Sequence, residues 1–167
     1  MAVGGNGGTI ELWDPTENKL VRTFINHTSR VGTLGWGNDV LTSGSRDRLI
    51  YNRDIREPRE YVAKLIGHKQ EVCGMKWAPG SRMLASGGND NQLLIWDARG
   101  TRPLYKFSEH TAAVKAIAWS YHQVWVISFG FLCNSYYYFS TGSLFFFILF
   151  AFLLIELSVC DSISLFG

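Results

Sequence analysis

Three histidines recur at a nearly constant distance along the first 123 residues, and this period constrains the fold more than any other feature. They are His27, His68 and His110, spaced 41 and 42 residues apart. Each is followed four residues later by valine and nine residues later by tryptophan. A fixed period of this length is typical of chains built from adjacent copies of one small structural unit.

A second set of residues repeats in the same phase. Trp13-Asp14 and Trp96-Asp97 are 83 residues apart, Arg53-Asp54 lies between them, and a turn rich in Gly, Ser, Asn and Asp precedes each pair. Between the turns, apolar residues alternate at period two, which indicates short strands. The period and its marks predict an all-β fold, a WD-repeat β-propeller with four strands per blade. Residues 1–123 account for about three blades plus one strand.

The repeated polar residues predict a hydrogen-bond network inside each blade. In the third repeat we expect Asp90 to accept from the ring of His68, His68 to bond Ser86, and Ser86 to accept from the indole of Trp96. The alternative, a Ser-His-Asp hydrolase triad, is disfavoured because a nucleophile is needed once and not in every repeat. No catalytic residue is therefore predicted. In the second repeat Arg53 replaces the tryptophan, and we expect a weaker network there.

Metal, cofactor and nucleic-acid sites are not predicted. No Cys or His pair has zinc-ligand spacing, and the Gly-rich start is not followed by the Lys-Ser/Thr of a phosphate-binding loop. Cys73 lies in an apolar stretch and is expected as a small core residue. Three scattered cysteines do not form a disulfide framework, which fits a reducing compartment. A net charge of +2 gives no reason to expect nucleic acid as a partner.

The residues between the repeat marks carry a more specific resemblance. It rests on the segments 43–48 (SGSRDR), 67–74 (GHKQEVCG), 84–91 (LASGGNDN) and 113–119 (AVKAIAW). Over residues 1–123 the chain closely resembles the fizzy family of WD-repeat activators of the anaphase-promoting complex, and within it the fizzy-related branch. The resemblance implies a seven-bladed propeller that recruits substrates to this ubiquitin ligase during the cell cycle. Its expected partners are subunits of the complex and proteins bearing the degrons called the destruction box and the KEN box.

The resemblance also implies which part of the family fold and which site residues the chain carries. It begins late in blade two and reaches the first strand of blade five, so we expect a truncated chain that is inactive alone. Asn89 and Asn91 match the family asparagines that contact the KEN box. The alternative is that both are turn residues that tolerate left-handed backbone. The expected location is the nucleus and cytoplasm. The alternative function is a general WD-repeat interaction scaffold, tethered to a membrane by its tail.

The composition changes after Gln123. Residues 124–167 hold no cation and only two acids, Glu156 and Asp161. This composition is compatible with a membrane-spanning helix, a core segment replacing blade five, or a translated intron or mis-predicted exon. The third is favoured, because a spanning helix needs about 20 apolar residues with flanking cations, and because a Gln-Val codon pair can contain a splice donor. The predicted domains are thus a partial propeller (1–123) and a hydrophobic tail (124–167), with membrane contact not expected.

Overall fold

The computed structural model describes residues 1–119 and, for its backbone only, the segment Val126–Gly130. Within these residues the chain forms β-strands and no helix, so the predicted all-β class is confirmed. It follows that no helix in the described part has the length and apolar character needed to cross a membrane. The domain boundary at Gln123 stays a prediction. Apart from Val126–Gly130, the tail lies outside the described residues, including 143–158, where the local composition is compatible with a helix.

Thirteen strands in the described residues form four antiparallel sheets, in which neighbours in sequence are neighbours in space. The first sheet contains β1 (Ala2–Gly4), β2 (Thr9–Asp14) and β3 (Lys19–Ile25); the second contains β4 (Val31–Gly37), β5 (Val40–Ser45), β6 (Leu49–Asp54) and β7 (Ala63–Ile66); the third contains β8 (Val72–Trp77), β9 (Met83–Gly88), β10 (Leu93–Asp97) and β11 (Pro103–Phe107); the last contains β12 (Val114–Trp119) and β13 (Val126–Gly130). Two of these sheets have the four strands expected of a blade, whereas the first has three strands and the last has two. Strand β13 lies beyond Gln123 and pairs with β12.

The sheets pack face to face through their first strands. Strand β1 packs on β4, β4 on β8, and β8 on β12. Because neighbouring strands are antiparallel, every second turn lies at the same end of the stack. We call one end of the stack the upper end. It carries turns 46–48 and 89–92 and connections 26–30 and 67–71. The lower end carries the β4–β5 turn and the β6–β7 loop.

Strand β10 shows why its sequence is apolar at consecutive positions. Leu94 and Trp96 face the second sheet, where they join Ile50 and Leu65 in one buried cluster. Leu93 and Ile95 face the last sheet and pack in a second cluster. A strand covered on both faces needs apolar side chains at every position rather than at alternate ones.

Two of the three tryptophans that follow a histidine by nine residues join one sheet to the preceding one. The indole N–H of Trp77 donates to Thr42 Oγ1 at 3.1 Å, and that of Trp119 donates to the carbonyl of Lys76 at 2.8 Å. The third of these residues, Trp36 on β4, is 44% exposed. Trp77 and Trp119 thus stabilise the interfaces between neighbouring copies of the repeat.

Candidate functional site

The structure brings the four predicted network residues of the third sheet together. His68 Nδ1 lies 3.1 Å from both carboxylate oxygens of Asp90, and His68 Nε2 lies 2.8 Å from Ser86 Oγ. The indole N–H of Trp96 donates to the same Ser86 oxygen at 2.8 Å. Because a carboxylate only accepts, the Nδ1–H of His68 is the donor to Asp90.

This array has the residue types of a hydrolase triad but not its accessibility. Ser86 is fully buried, and its oxygen is already bonded to a histidine and a tryptophan. The second sheet contains the same arrangement, with His27 Nδ1 2.9 Å from Asp47 and Nε2 2.8 Å from Ser43. A buried array that recurs in successive sheets stabilises each blade and offers no nucleophile to a substrate.

The turn aspartates are held in their ionised form. Burial by itself would raise the pKa of Asp90, but hydrogen bonds from the His68 ring and from the backbone N–H of Lys69 outweigh it, so the pKa is lowered. The Lys69 N–H donates at 2.7 Å. The pKa of Asp47 is lowered by the same balance of burial and hydrogen bonds, with N–H donors from Leu49 and Thr28.

Arg53 closes the network of the second sheet in place of tryptophan, but its buried Nε has no hydrogen-bond partner among the described residues, which agrees with the weaker network expected there. Its Nη1 donates to Ser43 Oγ at 2.6 Å, the position that the Trp96 indole N–H takes in the third sheet. Its Nη2 also donates to Asn26 Oδ1 at 3.2 Å, and Asn26 Nδ2 donates onward to Glu60 at 2.6 Å. The arginine therefore satisfies the serine and extends the network towards a carboxylate at the surface.

The Arg53 side chain is a fully buried cation with no direct carboxylate partner among the described residues. Burial lowers its pKa to about 10, which still leaves it protonated at neutral pH. The guanidinium lies 5.2 Å from the ring of Phe24 and 5.3 Å from that of Tyr51. Aromatic faces carry negative charge density, so these two rings offset part of the cost of burying the cation.

We expect the second sheet to lose stability as the pH falls from 7 to 5, because of His27. Burial lowers the pKa of this ring below its ordinary value of 6.5, with Arg53 lowering it further and Asp47 opposing the shift. The unfolded chain therefore binds a proton at a higher pH than the folded chain, and the free energy of unfolding decreases as the pH drops below about 6.5. Urea unfolding midpoints at several pH values measure this effect.

His27→Gln is the variant that isolates this contribution. It removes the titrating ring and leaves His68 and His110 in place, so its midpoint should be lower at pH 7 but should vary less between pH 7 and 5. Parallel pH profiles for the variant and the unaltered chain would contradict the role assigned to His27.

Asn91 lies in the turn between β9 and β10, at the upper end. Its backbone is left-handed, with a φ of 61°. Arg48 has a φ of 73° at the matching position of the second sheet, one residue after Asp47, so this backbone conformation does not by itself require asparagine. The backbone N–H of Asn91 donates to the Gly88 carbonyl at 3.3 Å. The residue is half-buried, and its side-chain amide has no hydrogen-bond partner among the residues that the structure describes, although the polar atoms of the amide are not fully buried.

Asn89, in the same turn, is held at both ends of its amide. Its Oδ1 accepts from the Cys73 thiol at 3.1 Å, and its Nδ2 lies 3.5 Å from Glu71 Oε2. Its backbone N–H donates to the Glu71 carbonyl at 2.9 Å. Cys73 is only half-buried, so its expected role as a small core residue was incomplete: its thiol is a hydrogen-bond donor at the edge of the candidate site.

Glu71 connects this turn to the preceding sheet. Arg30 Nε and Nη2 donate to the two oxygens of its carboxylate at 2.7 and 2.9 Å. The hydrogen bond and the charge of Arg30 lower the pKa of Glu71, so the carboxylate remains ionised. This two-point ion pair joins residues 41 positions apart, and sequence reasoning did not find it. The regular spacing of the repeat was the available signal, since it places residues one period apart on neighbouring sheets.

The positions of the asparagines and of the ionisable side chains define what this end of the molecule can bind. Among the described residues, no three His, Cys, Asp or Glu side chains are grouped closely enough to hold a metal ion. The amides of Asn89 and Asn91 instead offer both donors and acceptors. Such groups suit an extended polar peptide better than an ion or an apolar ligand.

Comparison with known proteins first defines the class. The chain matches the family described as WD domain, G-beta repeat, over residues 59–97 and 101–143. The second match extends past Gln123, the boundary predicted from composition. The structure is also similar to a chain in the crystal structure titled Mitotic Checkpoint Complex, with a TM-score of 0.75 and 41% identity over 77% of this chain and 40% of that one. The molecule is therefore part of a WD40 β-propeller.

The relatives then narrow the class to one family. The chain is 56% identical over 122 residues to Protein FIZZY-RELATED 2 of Arabidopsis thaliana, covering 73% of this chain and 25% of that protein. It is 48% identical over 122 residues to Anaphase-promoting complex subunit cdc20 of Dictyostelium discoideum, covering 71% of this chain and 24% of that protein. The chain belongs to the fizzy-related and fizzy family of WD-repeat proteins. It spans about a quarter of the length of these relatives.

Proposed function

We propose that this chain carries the part of a fizzy-related activator that recruits substrates to the anaphase-promoting complex by binding KEN-box peptides at the upper end of its sheets. In this proposal the chain is an adaptor and not an enzyme, and it acts in the nucleus and cytoplasm. Its partners are the ubiquitin ligase and the proteins that carry the degron. Asn91 and Asn89 are the residues that contact the peptide.

The observation that carries this proposal is the unused amide of Asn91. This amide has no hydrogen-bond partner among the described residues, and its polar atoms are not among the buried unpaired ones, so its donors and acceptors are available to a ligand. Asn89 lies two residues away in the same turn and presents a second amide. The left-handed backbone does not by itself require asparagine, since Arg48 adopts it as well.

The alternative function is a general WD-repeat scaffold. A scaffold would bind its partners through surfaces unrelated to the asparagine turn, and it would not distinguish a Lys-Glu-Asn sequence from a shuffled one. The same family membership is compatible with either function, because a propeller fold does not specify what it binds. Peptide selectivity therefore separates the two.

We expect Asn91→Gly to weaken binding of a fluorescein-labelled peptide containing Lys-Glu-Asn by about 5- to 10-fold, the effect of losing one or two hydrogen bonds. Glycine is preferred to alanine because it accepts the positive φ of this position without strain. The dissociation constant is measured by fluorescence polarisation on the full 167-residue chain, against a peptide of shuffled sequence.

Asn38→Gly is the matched control. Asn38 also has a positive φ, 52°, but it lies in the β4–β5 turn at the lower end, and its replacement should leave peptide binding unchanged. Equal binding of the KEN and shuffled peptides, or no change in Asn91→Gly, would reject the proposed function in favour of a scaffold.

A further inference from the structure

We infer that Glu71 and Cys73 are positioning residues that orient the Asn89 amide for peptide binding, with Glu71 itself held in place by Arg30 of the preceding sheet. This inference rests on the proposed function, and it names the residues that regulate the geometry of the same site. Neither side chain needs to touch the peptide. Each acts by restricting the orientation of Asn89.

The contacts on Asn89 leave one orientation of its side chain. The thiol of Cys73 donates to Oδ1 at 3.1 Å, a shorter contact than the 3.5 Å to its other acceptor, the carbonyl oxygen of Glu71. The carboxylate of Glu71 can only accept, so it takes the N–H group. Reversing the amide would place its N–H₂ against the Cys73 thiol and its oxygen against the Glu71 carboxylate, an unfavourable contact between two acceptors. The backbone N–H of Asn89 is bonded to the Glu71 carbonyl at 2.9 Å, so the residue is also fixed at its main chain.

This orientation determines what Asn89 can offer a peptide. A side-chain amide has two N–H donors and two acceptor positions on its oxygen. One donor faces Glu71 and one acceptor position is used by Cys73, which leaves one of each for a ligand. An amide held in advance loses less conformational entropy on binding than a freely rotating one, and this raises affinity.

Arg30 makes the orientation depend on the contact between two sheets. The ion pair is two-pronged, and the Glu71 carboxylate is 10% exposed whereas the Arg30 side chain is 53% exposed. A buried carboxylate held by two hydrogen bonds has little freedom to turn away from Asn89. Arg46 and Lys115 also contribute positive charge near Glu71, one from the second sheet and one from the last. Glu71 thus lies where three neighbouring sheets meet.

The test compares conservative and disruptive variants of the full 167-residue chain, using the same labelled Lys-Glu-Asn peptide. Cys73→Ala removes the thiol donor and should weaken binding about 3- to 5-fold, whereas Cys73→Ser keeps a donor and should stay within about 2-fold of the unaltered chain. Glu71→Gln removes the charge that Arg30 and Asn89 share and should weaken binding about 3- to 10-fold.

Asp39→Asn is the matched control for Glu71→Gln. Asp39 is also paired with an arginine, at 2.9 Å from Arg56, but it is exposed and lies at the lower end. Its replacement should leave binding unchanged. Thermal unfolding followed by circular dichroism measures the stability of every variant, so that a loss of folding is recognised. If the other variants do not fold, the peptide affinity of Cys73→Ser, the least disruptive change, is the deciding measurement.

Three results would overturn the inference. If Cys73→Ser loses as much affinity as Cys73→Ala, the thiol acts through packing and not as a donor. If Cys73→Ala and Glu71→Gln bind like the unaltered chain while Asn91→Gly does not, the site binds peptide without the positioning residues, and the proposed function remains. If the unaltered chain does not distinguish the KEN peptide from the shuffled one, the proposed function fails and the positioning role fails with it.

Discussion

Trp96→Ala should be the most destabilising single substitution in the third sheet, lowering the free energy of unfolding by about 3–5 kcal/mol. The side chain is fully buried against Ile50 and Leu65 of the second sheet, so its removal opens a cavity between two sheets as well as within one. It also leaves Ser86 without its indole donor. A loss of this size is a large share of the total stability of a typical domain, which is about 5–15 kcal/mol.

Urea unfolding monitored by circular dichroism measures this loss, and two further variants interpret it. Trp96→Phe keeps the apolar ring without the N–H and should cost about 1–3 kcal/mol, the range for an unmade buried hydrogen bond. Trp36→Ala is the matched control, because this tryptophan is 44% exposed. It should cost less than half as much as Trp96→Ala. Equal costs for the two alanine variants would show that burial between the sheets does not determine the effect.

Gly74→Ala should destabilise the chain by disturbing the packing between the third sheet and the last one. Gly74 lies on β8, and a Cβ atom there would overlap the backbone carbonyl group of Lys115 on β12. A flexible side chain could move away from the added methyl group, but backbone within a sheet cannot do so without shifting its strand. Overpacking of this kind costs about 1–3 kcal/mol and occasionally more, and we expect the upper part of that range.

Gly7→Ala is the control for Gly74→Ala. A Cβ atom at Gly7 would meet nothing within 4 Å, so this substitution should change the urea midpoint little. Gly87→Ala is a second test of the same interface, since its Cβ would lie 2.5 Å from the Val114 carbonyl oxygen. If both buried variants unfold at the same urea concentration as Gly7→Ala, the neighbouring strands are not packed as closely as the structure indicates.

The architecture was predictable because its signal repeats. One histidine or one Trp-Asp pair carries little information, but the recurrence of both at one period predicts the strands, the turns and the stacked sheets. The bonds of His68 with Asp90 and Ser86 follow the same logic, because those residue types have few other ways to satisfy buried polar groups.

The contribution of Arg53 was not predictable, because it depends on neighbours from another sheet. The sequence shows only that an arginine stands where tryptophan is expected. Whether its charge could be buried depended on Phe24 of the first sheet and on Asn26 of the connection that follows that sheet, both of which contact the guanidinium. Side chains that meet across sheets are not related by a local pattern.

The sequence by itself determined the repeat, the strand order and the residues that form the networks of the second and third sheets, since these follow from local periodicity and from the chemistry of buried polar groups. Only the tertiary structure decided that Arg30 binds Glu71, that Cys73 donates to Asn89, and that the Asn91 amide has no partner among the described residues. The physical reason is that hydrogen bonds depend on distance and angle at the level of tenths of an ångström. The distance and angle of such a hydrogen bond are set by how two sheets pack. Residues a full period apart in the chain come into contact only when the sheets have packed together.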